Sequence, residues 1–263
     1  MGRTRFWESS ISLPKRGGDL KGVEVSADAG SLQTYRERAT YGQQYASGLE
    51  LFLSETFYNS NGNEITPGLR LETIKTAEVV FEKYFWQHAS LSASGFYNWI
   101  DHLISQRTDP ANGLIQFANL DGIRGKGLEF ELSAKPQSGW EGRLSYTQQE
   151  SHSSLDGEPL TNSPRHLAKF NLIAPLIQKK LFASFEGQEV SRRLTEAEGK
   201  IGGAFVANAT LYSQHLPGNL KVSASVYNMF NKHYADAVGQ EIQGANIVQD
   251  GRTFRVKLTY LLQ

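Results

Sequence analysis

The side chains best able to carry acid–base or metal chemistry are six histidines: His88, His102, His152, His166, His215 and His233. None lies four residues from another, and none sits in a compact His/Asp/Glu cluster, so the spacing supports no metal site. They read as surface, loop or turn histidines. The chain has no cysteine, which excludes disulfides, thiolate zinc sites and thiol nucleophiles. No Gly-x-Ser-x-Gly elbow occurs. Gly122-Ile123-Arg124-Gly125-Lys126-Gly127 is rich in glycine and cation, but it lacks the Gly-x-Gly-x-x-Gly order and opens no helix, so it is not a phosphate loop. Glu129 and Glu131 share one face and mimic a glycosidase pair; carboxylates on the wetted side of a strand are the simpler account. Asn208-Ala209-Thr210 matches a glycosylation sequon inside a predicted strand. The sequence therefore predicts no catalytic residue, no metal, no cofactor and no enzyme activity.

The elements that carry these residues are strands. Residues 253–262 alternate strictly, with Phe254, Val256, Leu258, Tyr260 and Leu262 against Thr253, Arg255, Lys257 and Thr259. Leu220, Val222, Ala224 and Val226 alternate with Lys221, Ser223 and Ser225. Similar alternation runs through residues 20–30, 35–42, 49–57, 73–85, 91–104, 125–135, 140–150, 166–174, 180–190 and 205–216, with a short run at 114–120. Glu37 and Phe52 stand on the unexpected side. That makes about thirteen strands, with short turns on one side and longer polar connections on the other. One apolar face and one charged face suit a membrane barrel, whose wet side holds the charge. The charged face is predicted to hold Glu24, Arg36, Arg38, Glu129, Glu131, Glu141, Arg143, Lys169, Arg255 and Lys257. Tyr84, Trp86, Trp99, Trp140, Tyr146, Tyr212, Tyr227 and Tyr260 fall near predicted strand ends and are candidates for interfacial girdles.

Bulk properties agree. The 263 residues suffice for one large β domain, and mean hydropathy is −0.42. A polar average is compatible with a membrane barrel, whose lumen and loops are polar. Lys plus Arg and Asp plus Glu each number 27, so no electrostatic case for a nucleic-acid partner exists. Residues 1–18 hold Arg3, Arg5, Lys15 and Arg16 and lack the apolar core of a signal peptide, so no export signal is expected there.

The C-terminal stretch resembles the closing strands of TonB-dependent outer-membrane receptors. The carriers are Asn228-Met229-Phe230-Asn231-Lys232-His233-Tyr234 and Gly251-Arg252-Thr253-Phe254. Phe96-Tyr97-Asn98-Trp99-Ile100-Asp101, Gly125-Lys126-Gly127-Leu128-Glu129 and Asn162-Ser163-Pro164-Arg165-His166 resemble further motifs of that family. So do Tyr35-Arg36-Glu37-Arg38, near the first barrel strands, and Thr66-Pro67-Gly68-Leu69-Arg70-Leu71-Glu72, which resembles a motif late in the family's barrel. Leu71 stands where the family has proline. Two motifs normally far apart are thus neighbours here, and a deletion junction is expected near residues 61–66.

The resemblance implies an all-β, antiparallel transmembrane barrel in the outer membrane, a part of the family's barrel of about 22 strands. It implies uptake of a scarce large solute of the ferric siderophore, haem or cobalamin class, energised by the TonB protein through a plug domain. The expected partners are outer-membrane lipid, TonB and a ferric-siderophore-like ligand. Residues 1–19 are expected to lie outside the barrel and residues 20–263 to form it. No plug and no TonB-contacting segment are recognised, so a truncated or internally deleted receptor without transport activity alone is the expectation. A small passive pore and a soluble β-sheet binding protein are the alternatives. The family's ligand contacts lie in the plug and variable outer loops, so the resemblance assigns none to residues of this chain.

Overall fold

The computed structural model describes residues 20–29, 35–47, 49–60, 69–85, 88–109, 111, 113–119, 122–177, 180–195, 199–214, 220–238 and 246–260. The predicted segment 1–19 and the predicted junction at 61–66 lie outside the described residues. No described helix is long and apolar enough to cross a membrane. The strands are β1 (Gly22–Ala29), β2 (Tyr35–Gln44), β3 (Leu49–Ser60), β4 (Glu72–Phe85), β5 (Ala89–Asp101), β6 (Ile104–Thr108), β7 (Ile115–Asn119), β8 (Ile123–Ala134) and β9 (Glu141–Ser153). They continue with β10 (His166–Ile177), β11 (Leu181–Val190), β12 (Arg193–Leu194), β13 (Lys200–Ile201), β14 (Ala204–Ser213), β15 (Leu220–Tyr227), β16 (Ala235–Ala237), β17 (Asn246–Val248) and β18 (Thr253–Tyr260).

Twelve strands form one antiparallel sheet in the order β1-β2-β3-β4-β5-β8-β9-β10-β11-β14-β15-β18. Each neighbour follows in sequence, the up-and-down pattern that needs no crossover. The other strands form the hairpins β6–β7, β12–β13 and β16–β17, each inserted in a connection between two strands of the large sheet. Alternating strand direction sends the connections at residues 45–48, 86–88, 135–140, 178–180 and 214–219 to one rim. The ends where β3 leads to β4, β5 to β8, β9 to β10, β11 to β14 and β15 to β18 lie at the other, with all three hairpins. The predicted short-turn and long-loop sides are thus real. The large sheet has twelve strands rather than about thirteen, because the run at 114–120 is β7, which folds back on β6. His102 makes that departure possible with φ of 57°, turning the chain out of β5.

Register settles which residues share a face, because directly paired residues point the same way. Glu24 pairs with Thr40, Thr40 with Ser54, Ser54 with Glu78, and Glu78 with Phe96. Followed to β18, this parity puts all ten predicted inner charges on one face. Phe52, which breaks the alternation, packs on that same face opposite Val80 and is buried. The other face holds Val79, Phe81, Leu128, Phe130, Leu132 and Leu144. These are the more exposed residues: Val79 is 38% and Phe81 48% accessible, while Thr76, Glu78, Val80 and Glu82 beside them are half-buried. Side chains crowd on a concave face and splay on a convex one. The polar face is therefore the inside of the curve and the apolar face the outside, the reverse of a water-soluble protein.

The aromatic prediction needs correction. Tyr84, Tyr212 and Tyr227 share the register face of the inner charges, so they cannot belong to an outer girdle. Trp86 lies outside the described residues. On the outer face near the long-connection rim, Tyr97 and Trp99 pack as tilted rings at 4.2 Å and Tyr35 and Phe57 at 5.4 Å between ring centroids. Aromatic pairs at such a level suit a membrane–water boundary.

The two faces give opposite responses to charge. Val79→Arg is expected to lower unfolding free energy in lipid vesicles by about 2–4 kcal/mol, the cost of a cation on a lipid-facing strand. Ser94→Arg, on the inner face beside Glu129, is expected to stay within about 1 kcal/mol of the parent. Denaturant titration followed by tryptophan fluorescence measures both.

Candidate functional site: a cavity under the long connections

The turn after β15 is built by Asn228, which has φ of 46° and is almost wholly buried. Asparagine tolerates this left-handed conformation, and its side chain can bond the local backbone. Its Oδ1 accepts from the Lys232 backbone N at 2.8 Å, and its Nδ2 donates to the carbonyls of Lys232 at 2.8 Å and Asp250 at 3.2 Å. Asn208 on β14 accepts the backbone N–H of Asn228 at 2.9 Å. Asn231, with φ of 53°, accepts the backbone N–H of Arg252 at 2.9 Å. A Cβ at Gly251 would lie 2.7 Å from that same Asn231 oxygen and would push it off its bond to Arg252. The two closing motifs are thus one device: they clamp the end of β15 to the start of β18 and launch the β16–β17 hairpin.

That hairpin, with β12–β13, brings residues over the concave face. A cavity of about 580 Å³ lies there. Its wall presents Glu131, Arg143, Lys169, Glu186 and Asn208, and its cover presents Arg193, Tyr234 and Asp236. Arg143 Nε lies 3.6 Å from Glu131, and Asn208 donates to Glu186 at 3.0 Å. Arg193 pairs with Asp236 and joins the two hairpins. Among the described residues, its buried Nε has no hydrogen-bond partner. Tyr234 is half-buried; burial first, then the charges of Asp236 and Asp250, hold its phenol above the ordinary tyrosine range. It remains a neutral hydrogen-bond donor throughout the physiological range.

This lining can hold a polar or charged solute by many hydrogen bonds, and it places no nucleophile against a general base. Among the described residues, no group of three metal-ligating side chains converges. The histidines stay apart: His152 lies near the Gly157 carbonyl, at 3.0 Å, and His166 bonds the Tyr146 hydroxyl at 2.8 Å. His215 lies outside the described residues. Glu131 and Glu129 share the concave face, and Glu131 lies 3.6 Å from Arg143. The segment 122–127 opens β8, and its Arg124 binds Asp101 at 2.7 Å and the Ile100 carbonyl at 3.0 Å. Gly127 is needed because the Phe96 ring lies over it, 2.5 Å from where a Cβ would stand. Of the cavity residues, Arg143, Lys169 and Glu131 were legible as inner charges and Tyr234 as part of a motif. Arg193 and Asp236 carried no signal, since only the folding of two hairpins brings them together.

An up-and-down antiparallel sheet with an apolar convex face, a wet concave face and long connections on one rim is the architecture of a transmembrane barrel wall. The family described as TonB dependent receptor-like, beta-barrel, matches residues 27–229. The chain belongs to the TonB-dependent receptor family, in its barrel region. Solved structures with the same fold include the ferric-catecholate import receptor Fiu from Escherichia coli K12 in its closed form, at 16% identity and a TM-score of 0.68, covering 86% of this chain and 34% of Fiu. BauA, the ferric preacinetobactin receptor from Acinetobacter baumannii, matches at 16% identity and TM-score 0.69, covering 86% and 36%. The copper transporter OprC matches at 18% and 0.68, covering 86% and 40%. The chain therefore spans well under half the length of these receptors. No curated protein sequence matches.

Two substitutions probe the site. Asn228→Ala leaves buried backbone groups unpaired and is expected to cost about 1–3 kcal/mol of stability by denaturant titration. Tyr234 contributes stability that is complete below the unfolded tyrosine pKa and is lost as pH rises through its raised folded pKa. Tyr234→Phe is expected to remove that alkaline loss, together with one late-ionising component in the phenolate absorbance titration.

Proposed function

We propose that this chain is an outer-membrane receptor wall that takes part in uptake of a scarce large solute of the ferric siderophore, haem or cobalamin class. The observation that carries the reading is the inverted polarity of the sheet, joined to a polar cavity beneath the long connections. Such solutes are too large and too dilute for open pores, so a binding surface at the outer rim precedes any passage. The names of the similar receptors, which speak of ferric-catecholate and ferric preacinetobactin, support the solute class. Family membership supports a location in the outer membrane, contact with its lipid, and a role other than catalysis.

Energised transport by this chain alone is not part of the proposal. The residues that match the family belong to its barrel, whereas energy from TonB enters such receptors through a plug. The chain is read as an internally shortened receptor, with residues 1–19 outside the barrel and the deletion near residues 61–66. β3 and β4 flank that junction and pair without interruption from Leu49 with Lys83 to Ser60 with Glu72. Removal of an even number of strands from an up-and-down sheet leaves every remaining strand direction intact, so the cut ends can rejoin as a hairpin.

A passive pore is the second reading, favoured by the mixed-charge, wet concave face. Liposome assays separate the two. The receptor reading expects ferric siderophore, haem or cobalamin to bind refolded protein saturably, with solute flux at the level of empty vesicles. Flux that rises in proportion to concentration, without saturable binding, would establish the pore instead. Resequencing the locus across codons 61–66 tests the shortening, and an intact frame encoding further strands there would refute it.

A further inference from the structure

The convex face is not evenly filled. A recess of about 920 Å³ opens on it between two neighbouring rows of outward side chains. The row nearer the long-connection rim is Ala39, Glu55, Ala77, Tyr97, Lys126 and Glu150, each paired with the next across the sheet. The row below it supplies Tyr41, Leu53, Val79 and Leu128. The floor is low because Ala39, Ala77 and Gly95 carry almost no side chain. Leu128 leans over Gly95, 3.3 Å from where a Cβ would stand. Polarity is divided along the recess. Over β2 to β5 it is apolar apart from Glu55, and over β8 and β9 it presents Lys126, Gln148 and Glu150. Lys126 stands 3.9 Å from Glu150 and is 62% exposed, so its ammonium is open to a further partner. Counted from the long-connection rim, Lys126 is the fourth residue of β8 and Ala77 the sixth of β4, so the polar end lies nearer that rim.

We infer that this recess holds one glycerophospholipid with a zwitterionic headgroup, its phosphate on Lys126, its ammonium on Glu150 and an acyl chain over Ala77 and Gly95. This rests on the lipid-facing reading above and adds to general lipid contact a fixed site for one molecule. Length fits. The recess crosses the sheet from β1 to β9, seven strands of the large sheet, and the six spacings of about 4.8 Å give about 29 Å. Half a bilayer with its headgroups is about 20–22 Å thick, so one lipid can lie along it. Barrel strands tilt by about 35–45°, so a line across them runs obliquely through the membrane, with the polar end toward the boundary and the apolar end deeper. Charge selects the headgroup. Lys126 is the one cation of the lining, and Glu55 and Glu150 stand on either side of it along the upper row. One cation among carboxylates matches one phosphate beside an amine. A headgroup without the amine leaves the carboxylates unmatched, and one with several phosphates sets negative charge against them.

The full chain is refolded in detergent, dioleoyl phosphatidylethanolamine is added, and native mass spectrometry counts the lipid retained. One molecule per chain is expected, with phosphatidylglycerol and lipopolysaccharide retained less. Lys126→Gln is expected to weaken retention about two- to fivefold. Ala77→Trp, which fills the apolar part, is expected to abolish it. Lys75→Gln removes a cation that lies over the Phe57 ring, outside the recess, and is expected to change nothing. No retained lipid, retention equal or greater for phosphatidylglycerol or lipopolysaccharide, or retention unaltered by both Lys126→Gln and Ala77→Trp overturns the site and leaves the lipid-facing reading intact. A protein that is folded and soluble without detergent overturns both.

Discussion

A backbone surrounded by hydrocarbon has no water to bond, so each strand must find its hydrogen-bond partners in its neighbours. The sheet of this chain has the order that such a constraint demands. The constraint explains why twelve strands pair in sequence order, why the conspicuous irregularities are pushed to the rims, and why the apolar residues splay outward. A soluble sheet would bury Phe81, Leu128 and Phe130 and expose Glu78 and Thr76. Here the order is reversed, as in a wall built for lipid outside and water inside.

With the wall fixed, variation is free at one rim. Three hairpins rise there, and two of them cover the same part of the concave face. Their placement depends on a few contacts: Asn228 and Asn231 in left-handed conformations, Gly251 close against the Asn231 side chain, and the Arg193–Asp236 pair between hairpins. Among the described residues, the short-turn rim carries no hairpin. The asymmetry separates a plain rim from an elaborated one, and the cavity lies under the elaborated rim.

Much of the wall was legible in the sequence because period-2 alternation is a direct record of which face each residue occupies. All ten predicted inner charges, from Glu24 to Lys257, share the concave face. Alternation alone does not tell a sheet strand from a hairpin strand, so β7 was counted with the wall until pairing put it on β6. Nor does proximity to a strand end say which way an aromatic points, as Tyr84, Tyr212 and Tyr227 demonstrate. The cavity was the least legible feature. Its residues come from seven strands and the turn before β16, and Arg193 and Asp236 are 43 positions apart. The closing motifs were visible as a family resemblance, but their physical purpose, a clamp between β15 and β18, needed the geometry.

The central claim is that the convex face meets lipid and the concave face meets water. Single cysteines placed in turn at residues 77–82 of β4, each carrying a nitroxide in reconstituted vesicles, test it directly. Positions 77, 79 and 81 are predicted to be accessible to dissolved oxygen in the bilayer, and positions 78, 80 and 82 to a water-soluble nickel complex, in strict alternation. Uniform access to the nickel complex along all six positions, or the opposite alternation, would contradict the account.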